Sequence, residues 1–229
     1  SGTTVSDSTG SSPLSLRTGA TLGQPSRTGL GNDLTTTGGY GVTTKAEATT
    51  SAVTVEAWVK TTSTAGGLIA DFGSSTGNAS TYSDRPLYLT ATGQVGWGID
   101  DGWGGNSLLS ATRVNDGQWH LVTGTLSNTA GQALYVDGKL VARDTTMLRS
   151  VGMNGYWHVG CDRVSGWASA PVNKCLNGAI DEVATFNKAL SATQVAAHFA
   201  AAQPNKAPTA AFTATCDANG LCALDASGT

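Results

Sequence analysis

The stretch ALYVDGKLVA, residues 133–142, indicates most directly how this chain folds. Two apolar runs flank an Asp-Gly dipeptide, which favours a two-residue type I′ turn because both central positions of that turn need positive φ. The stretch therefore predicts a β-hairpin with two cross-strand side-chain pairs, Tyr135–Leu140 and Leu134–Val141.

Similar strand signals extend from about residue 40 to residue 186. AVTVEAWVK (52–60) alternates with a period of two. The alternation predicts that four of its residues share one face: Val53, Val55, Ala57 and Val59. RPLYLTA (85–91) and QVGWGID (94–100) are separated by a short turn and predict a second hairpin. Short strands with turn signals every 8–12 residues are typical of an antiparallel β-sandwich.

One helix is predicted near the end of the chain, in LSATQVAAHFAAAQ (190–203). Ser191 can cap its N-terminus, Gln194 completes a capping box, and Leu190 with Val195 forms a hydrophobic staple. A single amphipathic helix after the last strand most simply covers an exposed edge or end of the sandwich.

The composition narrows the class of protein. The 229 residues carry a formal net charge of −3 without basic clusters, which argues against nucleic-acid binding. No apolar run approaches the roughly 20 residues that span a bilayer, so membrane insertion is not expected.

The four cysteines permit three pairings, and their order favours two local ones, Cys161–Cys175 and Cys216–Cys222. Their spacing is not that of a zinc site. Two disulfides indicate an oxidising compartment, and the protein is expected to be extracellular, either secreted or at the cell surface.

A change of composition divides the chain. We expect one domain over residues 1–203, a linker at 204–208 with the proline-bearing sequence PNKAP, and a third segment over 209–229. The last segment predicts a hairpin but is too short to bury a core of its own. It is therefore expected to be the truncated start of a second module.

Four motifs in fixed order resemble one known family. They are TVEAWVK (54–60), NDGQWHLVTGTLS (115–127), ALYVDGKLVA (133–142) and NGAIDEVATFNKALSATQVAAHF (177–199). Together they resemble the laminin-G-like domain of secreted bacterial proteins, in the concanavalin-A-like lectin/glucanase superfamily. The resemblance implies an all-β, antiparallel two-sheet jelly roll with one short C-terminal helix. The tail resembles the start of an immunoglobulin-like module of the polycystic-kidney-disease type and implies a partial immunoglobulin-like hairpin.

The resemblance also implies a structural calcium ion where the N-terminal segment meets the last strand. Asp7 and Asp181 match the expected positions. Carboxylate and carbonyl oxygens are the ligands that Ca²⁺ requires.

Catalysis is not expected, although the superfamily includes glucanases. Glycoside hydrolysis needs two carboxylates that flank one bond. The only glutamates are Glu47, Glu56 and Glu182, and none belongs to a Glu-x-Asp-x-Glu pattern. His120 and His158 follow tryptophans in strands and are interpreted as satisfied buried histidines.

The tryptophans provide the candidate binding residues. Four lie in predicted strands, where core packing is expected for most: Trp58, Trp97, Trp119 and Trp157. Trp103 and Trp167 lie in glycine-rich loops, where an exposed indole suits the apolar face of a sugar ring. The alternative is that both loops fold back and cover the end of the sandwich with their indoles.

Polar side chains near these loops would hydrogen-bond sugar hydroxyls. The candidates are Asp100 and Asp101 beside Trp103, Asp162 and Arg163 beside Trp167, and Asp71 and Arg85 at strand ends. A salt bridge between Asp71 and Arg85 is an equally good interpretation of that last pair. The sequence thus predicts a non-catalytic glycan-binding or adhesive module of a larger protein, with a weakly bound glycan and other extracellular proteins as its partners. The alternative is a structural spacer or protein-interaction module without a glycan site.

Overall fold

The computed structural model describes residues 4–24, 33–202, 213–216 and 222–225 of the chain. These residues form eighteen strands and one helix, α1 (Ala192–Ala201). In chain order the strands are β1 (Thr4–Val5), β2 (Leu14–Leu16), β3 (Ala20–Gln24), β4 (Asp33–Thr37), β5 (Gly41–Thr43), β6 (Glu47–Ala48), β7 (Val53–Lys60), β8 (Gly67–Gly73), β9 (Ser83–Leu89), β10 (Gln94–Asp100), β11 (Gly105–Arg113), β12 (His120–Ser127), β13 (Gly131–Val136), β14 (Lys139–Asp144), β15 (Asn154–Val159), β16 (Asn177–Phe186), β17 (Thr213–Cys216) and β18 (Cys222–Asp225).

Two antiparallel sheets make the sandwich. The nine-stranded sheet has the order β1-β2-β5-β15-β8-β9-β10-β11, with β6 paired to β15. The seven-stranded sheet has the order β14-β13-β12-β7-β16-β4-β3. Strands distant in sequence are neighbours in both sheets, because the chain repeatedly crosses between them. The predicted all-β, jelly-roll-like sandwich with one short C-terminal helix is confirmed.

The core lies between the two sheets. The inward residues of β7 are those that the alternation predicted, Val53, Val55, Ala57 and Val59, and all are buried. Trp97 of β10 packs against them from the other sheet and is fully buried. Its ring lies over Gly124 of β12, where any Cβ would collide with the indole. Its Nε1 donates a hydrogen bond to the Thr125 carbonyl oxygen at 3.2 Å. Gly124 therefore makes room for the largest core side chain.

The β13–β14 hairpin confirms its predicted turn and corrects part of its register. Asp137 and Gly138 have φ values of 51° and 74°, as a type I′ turn requires. Tyr135 lies opposite Leu140, as predicted. Leu134, however, lies opposite Ala142 and not Val141, because a β-bulge shifts the register between these two pairs.

Helix α1 packs on the outer face of the seven-stranded sheet, near its β14 edge. Ser191 caps it and forms the predicted capping box with Gln194. Val195 is buried in a small apolar cluster with Tyr135 of β13. Phe199 stacks on Trp58 of β7, with ring centroids 5.7 Å apart. Trp58 is thus buried by the helix and does not belong to the core between the sheets.

The C-terminal strands β17 and β18 form the predicted hairpin, with Cys216 opposite Cys222. The linker at 204–208 and the side chains of this hairpin lie outside the described residues. The predicted Cys161–Cys175 disulfide is present. In the described part of the chain, no helix is long and apolar enough to cross a membrane.

Candidate binding site on the nine-stranded sheet

The disulfide-closed loop between Cys161 and Cys175 covers part of the outer face of the nine-stranded sheet. Val164 of this loop is buried against Leu68 of β8 and Tyr88 of β9, in a cluster separate from the main core. The Tyr88 hydroxyl donates a hydrogen bond to the Ala168 carbonyl oxygen at 2.5 Å. The loop is therefore held by packing, hydrogen bonding and a disulfide.

Trp167 of this loop lies flat on glycines of the sheet. A Cβ built on Gly98 of β10 would approach the indole to well inside 3.0 Å, and one on Gly105 of β11 would lie 2.5 Å from it. The backbone N–H of Ala168 donates to the Ser107 hydroxyl at 3.1 Å and fixes the neighbouring residue. Trp167 is partly buried, because one face of its ring packs against the sheet.

The side chain of Trp103, in contrast to that of Trp167, is exposed to solvent. Trp103 lies in the β10–β11 loop, and its side chain is 87% exposed. Two aspartates shape this loop: Asp100 Oδ1 accepts from the Gly102 N–H at 2.7 Å, and Asp101 Oδ1 accepts from the Trp103 N–H at 2.9 Å. Asp100 and Asp101 thus hold the turn that presents the indole to solvent.

A hollow of about 150 Å³ lies between these two loops. It is lined by Tyr82, Ser83, Asp100, Gly105, Arg163, Ser165, Gly166 and Trp167. The Tyr82 hydroxyl donates to Asp100 Oδ2 at 2.5 Å, and the Arg163 guanidinium donates to the Thr81 carbonyl oxygen. Burial raises the pKa of Tyr82, and the hydrogen bond to Asp100 raises it further by a smaller amount. The phenol therefore stays protonated at neutral pH. The hollow therefore combines an aromatic wall with hydroxyl, carboxylate and guanidinium groups.

Three of the sequence-predicted residues lie beneath this surface. Asp71, Arg85 and Asp162 are at most 1% exposed. Arg85 pairs with the adjacent Asp84 at 3.1 Å, so the predicted Asp71–Arg85 salt bridge is wrong. Burial raises the pKa of Asp71 well above its usual range, and the negative charge of Asp162 adds to the effect. None of the three lines the hollow.

His158 lies close to Asp71 and Asp162, although its position in the sequence does not predict a shared site with both. His158 of β15 lies opposite Asp71 of β8 and is fully buried. Burial lowers the pKa of His158 below its ordinary value and favours the neutral imidazole. The spacing of four residues between His158 and Asp162 is the one sequence signal that links two of these groups.

The two residues expected to bind calcium lie on different sheets. Asp7 follows β1 of the nine-stranded sheet, whereas Asp181 lies in β16 of the seven-stranded sheet. Two hydrogen bonds from Thr9 lower the pKa of the Asp7 carboxyl, and the one from its hydroxyl has the larger effect. Neither aspartate belongs to a group of three or more potential metal-binding side chains within the described residues. The calcium site remains a prediction.

A larger groove of about 470 Å³ lies at one end of the seven-stranded sheet, where β7 ends and β16 begins. Trp119, Lys60 and Thr61 are among its lining residues. Trp119 and Trp157 are partly buried, and Trp157 packs against the main core. Trp119 therefore forms a groove wall and is not enclosed in the core.

Comparisons with known proteins identify the fold family. A laminin-G-type family of the concanavalin A-like lectin/glucanases superfamily matches residues 35–196. No curated protein sequence matches the chain significantly. A heptameric SAP-like pentraxin from Limulus polyphemus is similar in structure, with a TM-score of 0.52 and 16% identity over 69% of this chain and 73% of that chain.

Toxin domains are also similar in structure. The receptor-binding domain of botulinum neurotoxin D has a TM-score of 0.60 and 16% identity, over 83% of this chain and 48% of that chain. A botulinum neurotoxin type C structure has a TM-score of 0.62 and 12% identity, over 88% of this chain and 51% of that chain. The chain spans about half the length of these two toxin structures, and the likeness shows the fold alone. With its family match over residues 35–196, the chain belongs to the concanavalin A-like lectin/glucanases superfamily.

Proposed function

We propose that this domain is a non-catalytic glycan-binding module, and that Trp103 with the adjacent hollow forms its binding site. The observation that carries the proposal is the 87% exposure of the Trp103 indole on the loop that joins Asp100 and Gly105, two residues of the hollow. An indole left in water without a partner is unfavourable, and its flat apolar face matches the C–H face of a pyranose ring.

The polar groups of the hollow have the chemistry that sugar hydroxyls need. Asp100 accepts hydrogen bonds, the Arg163 guanidinium donates them, and the Tyr82 hydroxyl can do either. The volume of about 150 Å³ is below the 300–1,000 Å³ typical of small-molecule pockets, so much of a bound sugar would remain in solvent. We therefore expect a dissociation constant of about 0.1–1 mM for a single site. Several copies in a larger extracellular protein would raise the effective strength.

The structural relatives support a sugar-binding role. The botulinum neurotoxin type C structure is described as showing cell entry that depends on interaction with two ganglioside molecules. The binding domain of botulinum neurotoxin DC is described in complex with SialylT. Both share the sandwich fold at 12% identity, so they support the class of ligand but not the position of the site.

The lining of the hollow is inconsistent with glycoside hydrolysis. Among the described residues that line it, Asp100 is the only carboxylate, whereas that reaction needs two carboxylates on opposite sides of the scissile bond. Recognition without catalysis is the role that this set of groups supports.

The test is a glycan-array screen of the wild-type chain and of Trp103→Ala, Trp167→Ala and Val172→Ala. Val172 is a fully exposed apolar residue of the same disulfide loop and serves as the control. We expect binding to one glycan class, which Trp103→Ala abolishes, Trp167→Ala weakens and Val172→Ala leaves unchanged. Circular dichroism confirms that each variant is folded. A folded wild-type chain that binds nothing on a broad array would instead favour a structural or protein-interaction module.

A further inference from the structure

Three titratable side chains meet beneath the disulfide loop, apart from the proposed glycan site. Asp71 in β8 and His158 in β15 are cross-strand partners, and Asp162 follows four residues after His158. All three side chains are fully buried. One potential ligand atom from each lies within 4.8 Å of the other two.

These groups are poorly satisfied by the protein itself. Among the described residues, neither oxygen of Asp71 accepts a well-formed hydrogen bond, although the nearby Ser83 hydroxyl lowers the pKa of this carboxyl, and Asp162 Oδ2 accepts none. Asp162 Oδ1 accepts from the Ser80 N–H at 2.6 Å, which fixes the orientation of that carboxylate. Burial of a carboxylate without a compensating partner is strongly unfavourable. Burial therefore leaves two ways to compensate these oxygens, protonation of Asp71, in line with its raised pKa, or a bound cation.

The surrounding charges do not supply that compensation. Asp84 is also fully buried and is engaged with Arg85, the cation of the adjacent pair. If the carboxyl groups are ionised and His158 is neutral, Asp71, Asp84 and Asp162 carry three negative charges against the single positive charge of Arg85. The remaining charge of −2 is what one divalent cation would neutralise.

Because Gly73 has no side chain, the polar groups of Asp162, Ser80 and His158 come together over its backbone. A Cβ at this position would collide with Asp162 Oδ2 and the Ser80 hydroxyl, and it would lie 3.1 Å from His158 Nε2. His158 Nε2 and Asp162 Oδ2 are 3.7 Å apart. Two atoms that each bind one ion at about 2.1 Å stand at most about 4.2 Å apart, so this separation suits a shared ion. The ligand atom of Asp71 lies within 4.8 Å of both.

We propose that Asp71, His158 and Asp162 form a buried site for one divalent transition-metal ion, of the zinc or manganese class. One imidazole with two carboxylates is a ligand set that such ions accept, whereas Ca²⁺ prefers oxygen ligands alone. The Ser75 carbonyl oxygen lies 2.7 Å from His158 Nε2 and accepts its proton in the metal-free chain. When an ion binds Nε2, the imidazole proton must move to Nδ1, and the Ser75 oxygen can then complete the coordination.

The ion would connect the two loops beside the hollow. Asp162 and Arg163 are adjacent in the disulfide loop, and Ser75 and Ser80 belong to the loop that leads to Tyr82. A metal held by Asp162 and His158 would therefore fix these loops relative to β8 and β15. Metal binding is measured without any sugar, so the proposal can fail independently of the glycan-binding function.

Because the site is buried, the experiment loads it during folding. The full chain is unfolded in denaturant with its disulfide intact, then refolded with ZnCl₂, MnCl₂, CaCl₂ or EDTA and desalted. We expect one zinc or manganese ion per chain by elemental analysis, and a melting temperature higher by about 5–10 °C than that of the EDTA sample. Asp71→Asn should retain less than a tenth of the bound metal.

The surface group Asp116–His120–Asp137 provides a matched control. Both nitrogens of His120 are engaged there, by Asp137 at 2.8 Å and by Asp116 at 3.1 Å. His120→Gln should therefore keep the full metal content.

If Asp71→Asn does not fold, zinc-edge anomalous diffraction from crystals of the wild-type chain locates the ion directly. The proposal is overturned if the folded wild-type chain retains no ion, retains only calcium, or binds zinc elsewhere. It is also overturned if folded Asp71→Asn retains the wild-type amount.

Discussion

The contact between Gly98 and Trp167 allows a quantitative test of how the disulfide loop packs on the nine-stranded sheet. Gly98→Ala places a methyl group where the indole now lies, since the added Cβ would approach the ring to well inside 3.0 Å. Backbone strain does not complicate the substitution, because Gly98 is not among the residues with positive φ. The ring must lift off the sheet or the strand must shift.

The cost follows from the area that the ring loses. Large aromatic side chains bury 150–250 Å² each, so lifting Trp167 exposes about 100 Å², or about 2.5 kcal/mol at 25 cal/mol per Å². Alanine recovers about 0.5–1 kcal/mol relative to glycine in a strand interior. The net loss in the free energy of unfolding is about 1.5–2 kcal/mol, which lowers the melting temperature by about 3–8 °C.

Calorimetry of the single and double variants isolates this contact. In a Trp167→Ala background, Gly98→Ala should become neutral or slightly stabilising, because the colliding ring is absent. Gly152→Ala is the control, since nothing lies within 4 Å of a Cβ at that position. The reasoning is refuted if Gly98→Ala melts like the wild type, or if its destabilisation persists without the indole.

Three further outcomes follow from other contacts. Ser191→Ala removes the helix cap and should lower the free energy of unfolding by about 1 kcal/mol in urea titrations; an unchanged midpoint would contradict this role. The hydrogen bond to Asp137 raises the pKa of His120. The wild-type chain should therefore have a higher free energy of unfolding than His120→Gln, and this difference should be fully present below the unfolded pKa of about 6.5. The difference in the free energy of unfolding should decline as pH rises through the folded pKa of His120. A difference that does not depend on pH would argue against the ion pair. Replacing Cys161 and Cys175 together by alanine should cost about 3 kcal/mol in the same titrations, and a loss below about 1 kcal/mol would show that the closed loop adds little.

The sequence by itself determined the elements whose signals are local. The Asp137-Gly138 turn and the capping box of α1 depend on residues a few positions apart, and both formed as predicted. The inward face of β7 followed from alternation, because one side of a strand in a sandwich must face the core. The ordered motifs also indicated the superfamily, which the family match shows.

Only the tertiary structure decided what depends on pairing across long sequence distances. The bulge that moved Leu134 opposite Ala142 left no readable signal in the hairpin sequence. Trp103 and Trp167 both lie in glycine-rich loops, yet one indole is exposed and the other is seated on Gly98, because only the folded sheet brings those glycines under the second loop.

The group of Asp71, His158 and Asp162 shows the same limit. Asp71 lies 87 positions before His158 in the sequence, and pairing between β8 and β15 places the two opposite each other. From the sequence alone, Asp71 and Asp162 are expected in a surface site, because alternation does not reveal which outer faces a later loop covers. Side-chain spacing along a strand is local, whereas burial of an outer face depends on the whole chain, and that difference separates what could be predicted from what could not.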